Sequence, residues 1–154
     1  MRLAELNVGY TTYPLDYPRM SEFMDNLDTI NALAERSPGF VWSMNSDSGN
    51  AKDISAPGDA EVISNTSVWK DVAPLGNYVF NNVHARFYEH KEDWFQAMTS
   101  HHFVMWMAED NHTPDLAKAL DGLEYLQKHG STGHAFGWDF VDQSAWRRCT
   151  VAAE

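Results

Sequence analysis

The sequence predicts an α+β domain of ferredoxin-like order, βαββαβ, with a four-stranded antiparallel sheet and an extra C-terminal helix. Three observations carry this. Extended and helical runs alternate in that order, the helical runs hold apolar residues three and four apart, and Pro and Gly punctuate the junctions. A chain of 154 residues with 44% hydrophobic composition builds one core, so residues 1–154 are read as a single domain with 131–154 as a C-terminal extension.

Leu3 to Tyr10 alternates well enough for a first strand, which the Pro14 and Pro18 segment ends. Asp16 to Pro18 then starts a helix, with proline pre-setting φ in the first turn. Met20, Phe23, Met24, Leu27, Ile30 and Leu33 lie on one stripe of it. Ser37-Pro38-Gly39 stops the helix, and Phe40 to Met44 forms a second strand. Residues 45–59, rich in Ser, Asn, Asp, Gly and Pro, read as an exposed loop.

Glu61 to Trp69 is a third strand rich in β-branched residues. Asp71 can accept hydrogen bonds from the free amides of the next helix, and Pro74 falls in its first turn, where a missing amide proton costs little. Val72, Leu75, Val79, Val83 and Phe87 make its apolar stripe. His101 to Met107 gives the fourth strand, with Phe103, Met105 and Met107 on one side and His102, Val104 and Trp106 on the other. Thr113 and Pro114 open a last helix that carries Leu116, Leu120, Leu123 and Leu126 and closes at Gly130. Trp138, Phe140 and Trp146 imply that the tail docks, since three exposed large rings would favour aggregation. In this order the first two helices cover one face of the sheet and leave the other for a partner, which makes a homodimer the expected assembly.

A formal charge of −11 with only 11 Lys and Arg argues against nucleic acid and against an anionic membrane surface, because both demand clustered positive charge. No run approaches a membrane span and Met1 to Glu5 shows no secretory apolar region, so the expected location is cytoplasmic. Cys149 stands alone, which excludes an intrachain disulfide. Six Trp, six Tyr and eight Phe supply large buried area and ring faces.

Leu3-Ala4-Glu5-Leu6-Asn7, Met20 through Ala34, Ser37-Pro38-Gly39-Phe40-Val41-Trp42, Ser67-Val68-Trp69 and His84 with Glu92-Asp93-Trp94-Phe95 resemble the DUF3291 family over about residues 3 to 129. That family is placed with the dimeric α/β-barrel superfamily, which includes antibiotic-biosynthesis monooxygenases, heme-binding members and polyketide cyclases. The resemblance implies a dimer and a pocket between sheet and helices, and no single reaction. The segment after His84 is less basic than is common in the family, with Arg86 and Lys91 in place of a denser arginine run, and Gly133-His134 is an unusual feature of the tail.

Candidate chemistry centres on the second long helix, where Asn81, His84 and Tyr88 share a face beside the apolar stripe. Asn65 and Trp69 of the third strand point the same way as each other and can meet that row across the helix–sheet gap. His84 is the expected base, its pKa lying nearest neutrality, with Arg86 or Asn81 stabilising an enolate or phenolate. Trp69, Tyr78 and Trp106 would hold a planar substrate. An equally simple reading leaves His84 bonded to a backbone carbonyl.

The leading expectation is a small-molecule enzyme of specialised metabolism, a cofactor-independent monooxygenase acting on an aromatic or polyketide-like substrate. In it the substrate carbanion itself reduces O2. The alternatives are a cyclase, isomerase or dehydratase in the same pocket, a heme enzyme with His84 or His102 as axial ligand, and a non-catalytic dimeric binding protein. No protein metal site is expected, because no His-x-x-x-His pair with a nearby carboxylate occurs. No nucleotide-binding glycine loop and no nucleophile elbow is present.

Overall fold

Strand order, more than element order, tells where the polar residues of this chain meet. The computed structural model describes residues 1–13, 17–46, 62–81, 94, 102–110 and 113–141. Within them lie β1 (Arg2–Tyr10), α1 (Ser21–Arg36), β2 (Phe40–Ser46), β3 (Val62–Trp69), α2 (Val72–Asn81), β4 (Phe103–Ala108) and α3 (Leu116–His129). The sheet runs β2-β3-β1-β4 with every neighbouring pair antiparallel, which is the ferredoxin-like arrangement. The 45–59 loop, apart from Asn45 and Ser46 at the end of β2, and the Val83 and Phe87 end of the apolar stripe fall outside the described residues.

The helix boundaries follow local chemistry. A short 3₁₀ turn with Pro18 in its first position leads into α1, and Ser37 closes α1 by donating its hydroxyl to Leu33 O at 2.8 Å. Asp71 Oδ1 accepts from Val72 N at 2.7 Å at the head of α2. At α3 the cap is Asp115, whose Oδ1 accepts from Lys118 N at 2.7 Å, so the helix begins two residues later than Thr113-Pro114 suggested.

β1 and β3 are the central strands, and register sets which residues share a face: Leu3, Glu5 and Asn7 of β1 stand opposite Trp69, Ser67 and Asn65 of β3. On this face α1 and α2 pack Ile30, Leu75, Tyr78 and Val79 against Leu3, Trp69 and Met105. On the other face α3 buries Ala119, Leu123 and Leu126 against Ala4, Leu6, Val104 and Trp106. The chain's own third helix therefore takes sheet surface that the element order alone left for a second copy. Met24 departs from the expected α1 stripe and is exposed, while Met20 and Phe23 join Trp94 in a separate small cluster.

β2 carries an irregularity between Phe40 and Trp42. One extra residue there lets Val41 and Trp42 both pack with the α3-side core while Phe40 and Ser43 line the α1/α2 side. The free edge of β4 is covered in part by the tail, with Met105 and Phe136 exchanging backbone hydrogen bonds of 2.7 and 2.9 Å. Trp138 docks as the sequence implied, whereas Phe140 remains half exposed and Trp146 lies outside the described residues.

Gly39 joins α1 to β2 at φ +84°, and a Cβ built there would meet Pro74 Cβ at 2.5 Å and Cγ at 2.6 Å. Both the left-handed backbone and the rigid proline ring exclude a side chain. Gly39→Ala is expected to destabilise the fold by about 2 kcal/mol or more, read as a lower urea midpoint at unchanged slope. A midpoint equal to wild type would mean that β2 and α2 do not approach as closely as this.

Candidate functional site

Between the sheet and the α1/α2 layer lies a cavity of about 140 Å³. The central strands furnish its polar floor, Glu5, Asn7, Asn65 and Ser67, because register places these four side by side. Rings form its walls: Phe40, Trp69, Tyr78, Phe103 and Trp138. Trp138 comes from the tail and stacks on Phe103 with centroids 5.5 Å apart, while Phe80 meets its edge at 5.1 Å.

The floor is organised around one carboxyl. Ser67 Oγ donates to Glu5 Oε1 at 2.5 Å and accepts from Trp69 Nε1 at 2.8 Å, so indole, hydroxyl and carboxyl form a directed chain. Glu5 is 3% exposed. Burial disfavours its charged form and pushes the carboxyl from 4.5 up to about 8, a rise that the hydrogen bonds from the Ser67 side chain and backbone only partly oppose. Glu5 is therefore mostly protonated at neutral pH and has an O–H to give. Tyr78 donates its hydroxyl to Ile30 O at 3.1 Å, which ties α2 to α1, and burial together with the nearby Glu5 raises its phenol well above the usual range. Asn65 Oδ1 is buried without a hydrogen-bond partner.

Of the residues proposed from the sequence, Asn65, Trp69 and Tyr78 line this cavity together. Trp106 does not: strand alternation turns it to the opposite face, where it packs under α3 beside Gly122. It is a core residue, with its Nε1 buried and unpaired. His84, Arg86 and Tyr88 lie outside the described residues, and of Asn81 only the backbone at the end of α2 is described. His102, expected to share a face with Val104, instead lines the cavity with Phe103, because regular alternation begins only at Phe103 where β4 starts.

Sequence reasoning missed Glu5. The signal was present as an acid in the middle of the apolar run Leu3-Ala4-Glu5-Leu6, on a strand that proves to be central.

A family model described as a domain of unknown function, DUF3291, matches residues 2–150. The chain belongs to the DUF3291 family. The match takes in most of the tail, beyond the 3 to 129 stretch that carries the visible resemblance, and so includes Trp138. No curated protein matches the chain. A solved protein of unknown function from Nitrosomonas europaea is similar at 11% identity and TM-score 0.47, covering 73% of this chain and 92% of that one. SnoaB of Streptomyces nogalater, a cofactor-independent oxygenase, is similar at 14% identity and TM-score 0.45, covering 71% of this chain and 95% of its own.

Among the described residues no three His, Cys, Asp or Glu side chains are grouped to hold a metal ion, and no helix is long and apolar enough to cross a membrane. The enclosed part of the cavity is smaller than a porphyrin, so a heme ligated by His102 would have to extend beyond it.

Proposed function

We propose that this DUF3291 protein is a small-molecule enzyme that moves a proton on an enolisable or phenolic substrate, with Glu5 donating to the substrate oxygen. The observation that carries the reading is a carboxyl buried on the floor of a ring-walled cavity, where loss of water pushes its pKa up to about 8. When a carbon next to a carbonyl loses its proton, negative charge collects on the oxygen. A donor aimed at that oxygen from a water-poor wall lowers the barrier, and a carboxyl near pKa 8 can give and regain a proton at modest cost. His102, on the same cavity, is the candidate base, in the role first expected of His84.

The resulting carbanion has three outlets. Reprotonation elsewhere is isomerisation, attack on a second carbonyl is cyclisation, and electron transfer to O2 is oxygenation. In the last case a methylene becomes a carbonyl, one oxygen atom enters the product and the other leaves as water, so no reductant is consumed. This is the cofactor-independent monooxygenase anticipated from the sequence, with Glu5 as the acid.

The test uses a probe that every outlet shares. α-Deuteration of cyclohexanone in heavy water, followed by NMR without oxygen, should be accelerated by the protein and fall about 100-fold in Glu5→Gln. Absence of accelerated exchange, or a Glu5→Gln rate equal to wild type, would remove the catalytic reading and favour a binding protein. Uptake of O2 on admitting air would then select oxygenation over the other two.

A further inference from the structure

The cavity also limits what can enter it. Engineered cavities of about 150 Å³ hold one benzene ring. At about 140 Å³ the enclosed part of this one accommodates a single six-membered ring with small substituents. Among the described residues that line it there is no Lys or Arg, so an anionic ligand would meet Glu5 with no countercharge. Two polar groups face the ligand: Asn65 Oδ1 is a buried acceptor without a partner, and Glu5, buried on the same floor with its pKa pushed up to about 8, is a donor in its protonated form. They belong to paired strands two residues out of register on the same face, a diagonal whose backbone positions lie about 7–8 Å apart. One ring with substituents at opposite ends spans such a gap.

We propose that the cavity selects a neutral, single-ring molecule that carries an acceptor oxygen for Glu5 and a hydroxyl or amine donor for Asn65 Oδ1. Phe103 and Trp138, stacked on each other, form one wall of the cavity, so the tail helps to set the size limit. This assignment rests on the cavity being the site described above, but it concerns recognition and does not require turnover.

Calorimetry at about pH 6 with four probes tests it. Para-hydroxybenzaldehyde should bind at least about tenfold more tightly than benzaldehyde, which lacks the donor, and than para-hydroxybenzoate, which is charged. A hydroxynaphthaldehyde, with two fused rings, should not bind. In Asn65→Leu the advantage of para-hydroxybenzaldehyde over benzaldehyde should vanish while benzaldehyde affinity stays. Equal binding of the two-ring probe, equal binding of the benzoate, no binding of any probe, or an advantage that survives Asn65→Leu would each overturn the proposal. Comparison among the four probes on the wild-type protein decides the matter even if the variant does not fold. Proton exchange without this selectivity would leave the enzyme reading standing and sink this one; selective binding without exchange would do the reverse.

Discussion

Between about pH 5 and about pH 8 the protein is expected to lose about 3 kcal/mol of folding stability through Glu5, and Glu5→Gln should show none of that loss. The folded-state pKa, about 8, lies above the unfolded value of 4.5. Over that window the native protein holds a proton that the unfolded chain has released. The contribution is complete below 4.5 and drains away as pH rises toward 8, with a slope of about 1.4 kcal/mol per unit. Glutamine has the shape of the neutral acid and does not ionise, so at the alkaline end the variant should be the more stable protein.

Other carboxylates tilt both curves equally, including Glu124, which Lys128 holds below its usual range on the exposed side of α3. The difference between the two proteins isolates Glu5. Urea unfolding at several pH values gives the measurement, and parallel curves would mean that Glu5 is already ionised in the native state.

Trp69→Ala should cost about 4 kcal/mol, the largest stability loss expected from a single side chain here. Trp69 is 1% exposed, meets Phe40 edge-on at 5.4 Å and Tyr78 at 5.3 Å, and fills the junction of β2, β3 and α2. Its removal opens a void beside the existing cavity and leaves Ser67 Oγ without its donor. Trp69→Phe keeps most of the packing and should lose about 1 kcal/mol, mainly for the indole N–H. An alanine variant within about 1 kcal/mol of wild type would show that the surrounding rings collapse into the gap, contrary to the packing described.

The helices and strands were legible because their signals are local. Asp71 before an apolar stripe, Ser37-Pro38-Gly39 between two runs, and β-branched residues from Val62 to Val68 each act within a few residues. Asn65 and Trp69 could be set on one face from the sequence, since spacing on a strand tells which side chains point together, and the structure places both beside Tyr78 along the cavity. Trp106 was misplaced because alternation gives relative direction along a strand and not which layer lies on either side. The expectation of an open sheet face failed on α3 for the same reason: its apolar stripe was visible, but its docking position depends on contacts distant in sequence.

Glu5 marks the boundary most clearly. From the sequence alone came an α+β chain of ferredoxin-like order, acidic, rich in rings, with polar residues alternating through its first and third strands. That these polar residues pair across β1 and β3, that Glu5 and Ser67 are buried under two helices on one side, and that burial consequently pushes the carboxyl pKa up, only the tertiary structure decided. Periodicity and caps are written in neighbouring residues, whereas burial and the pKa it sets arise from groups more than sixty positions apart, as Glu5 and Ser67 are.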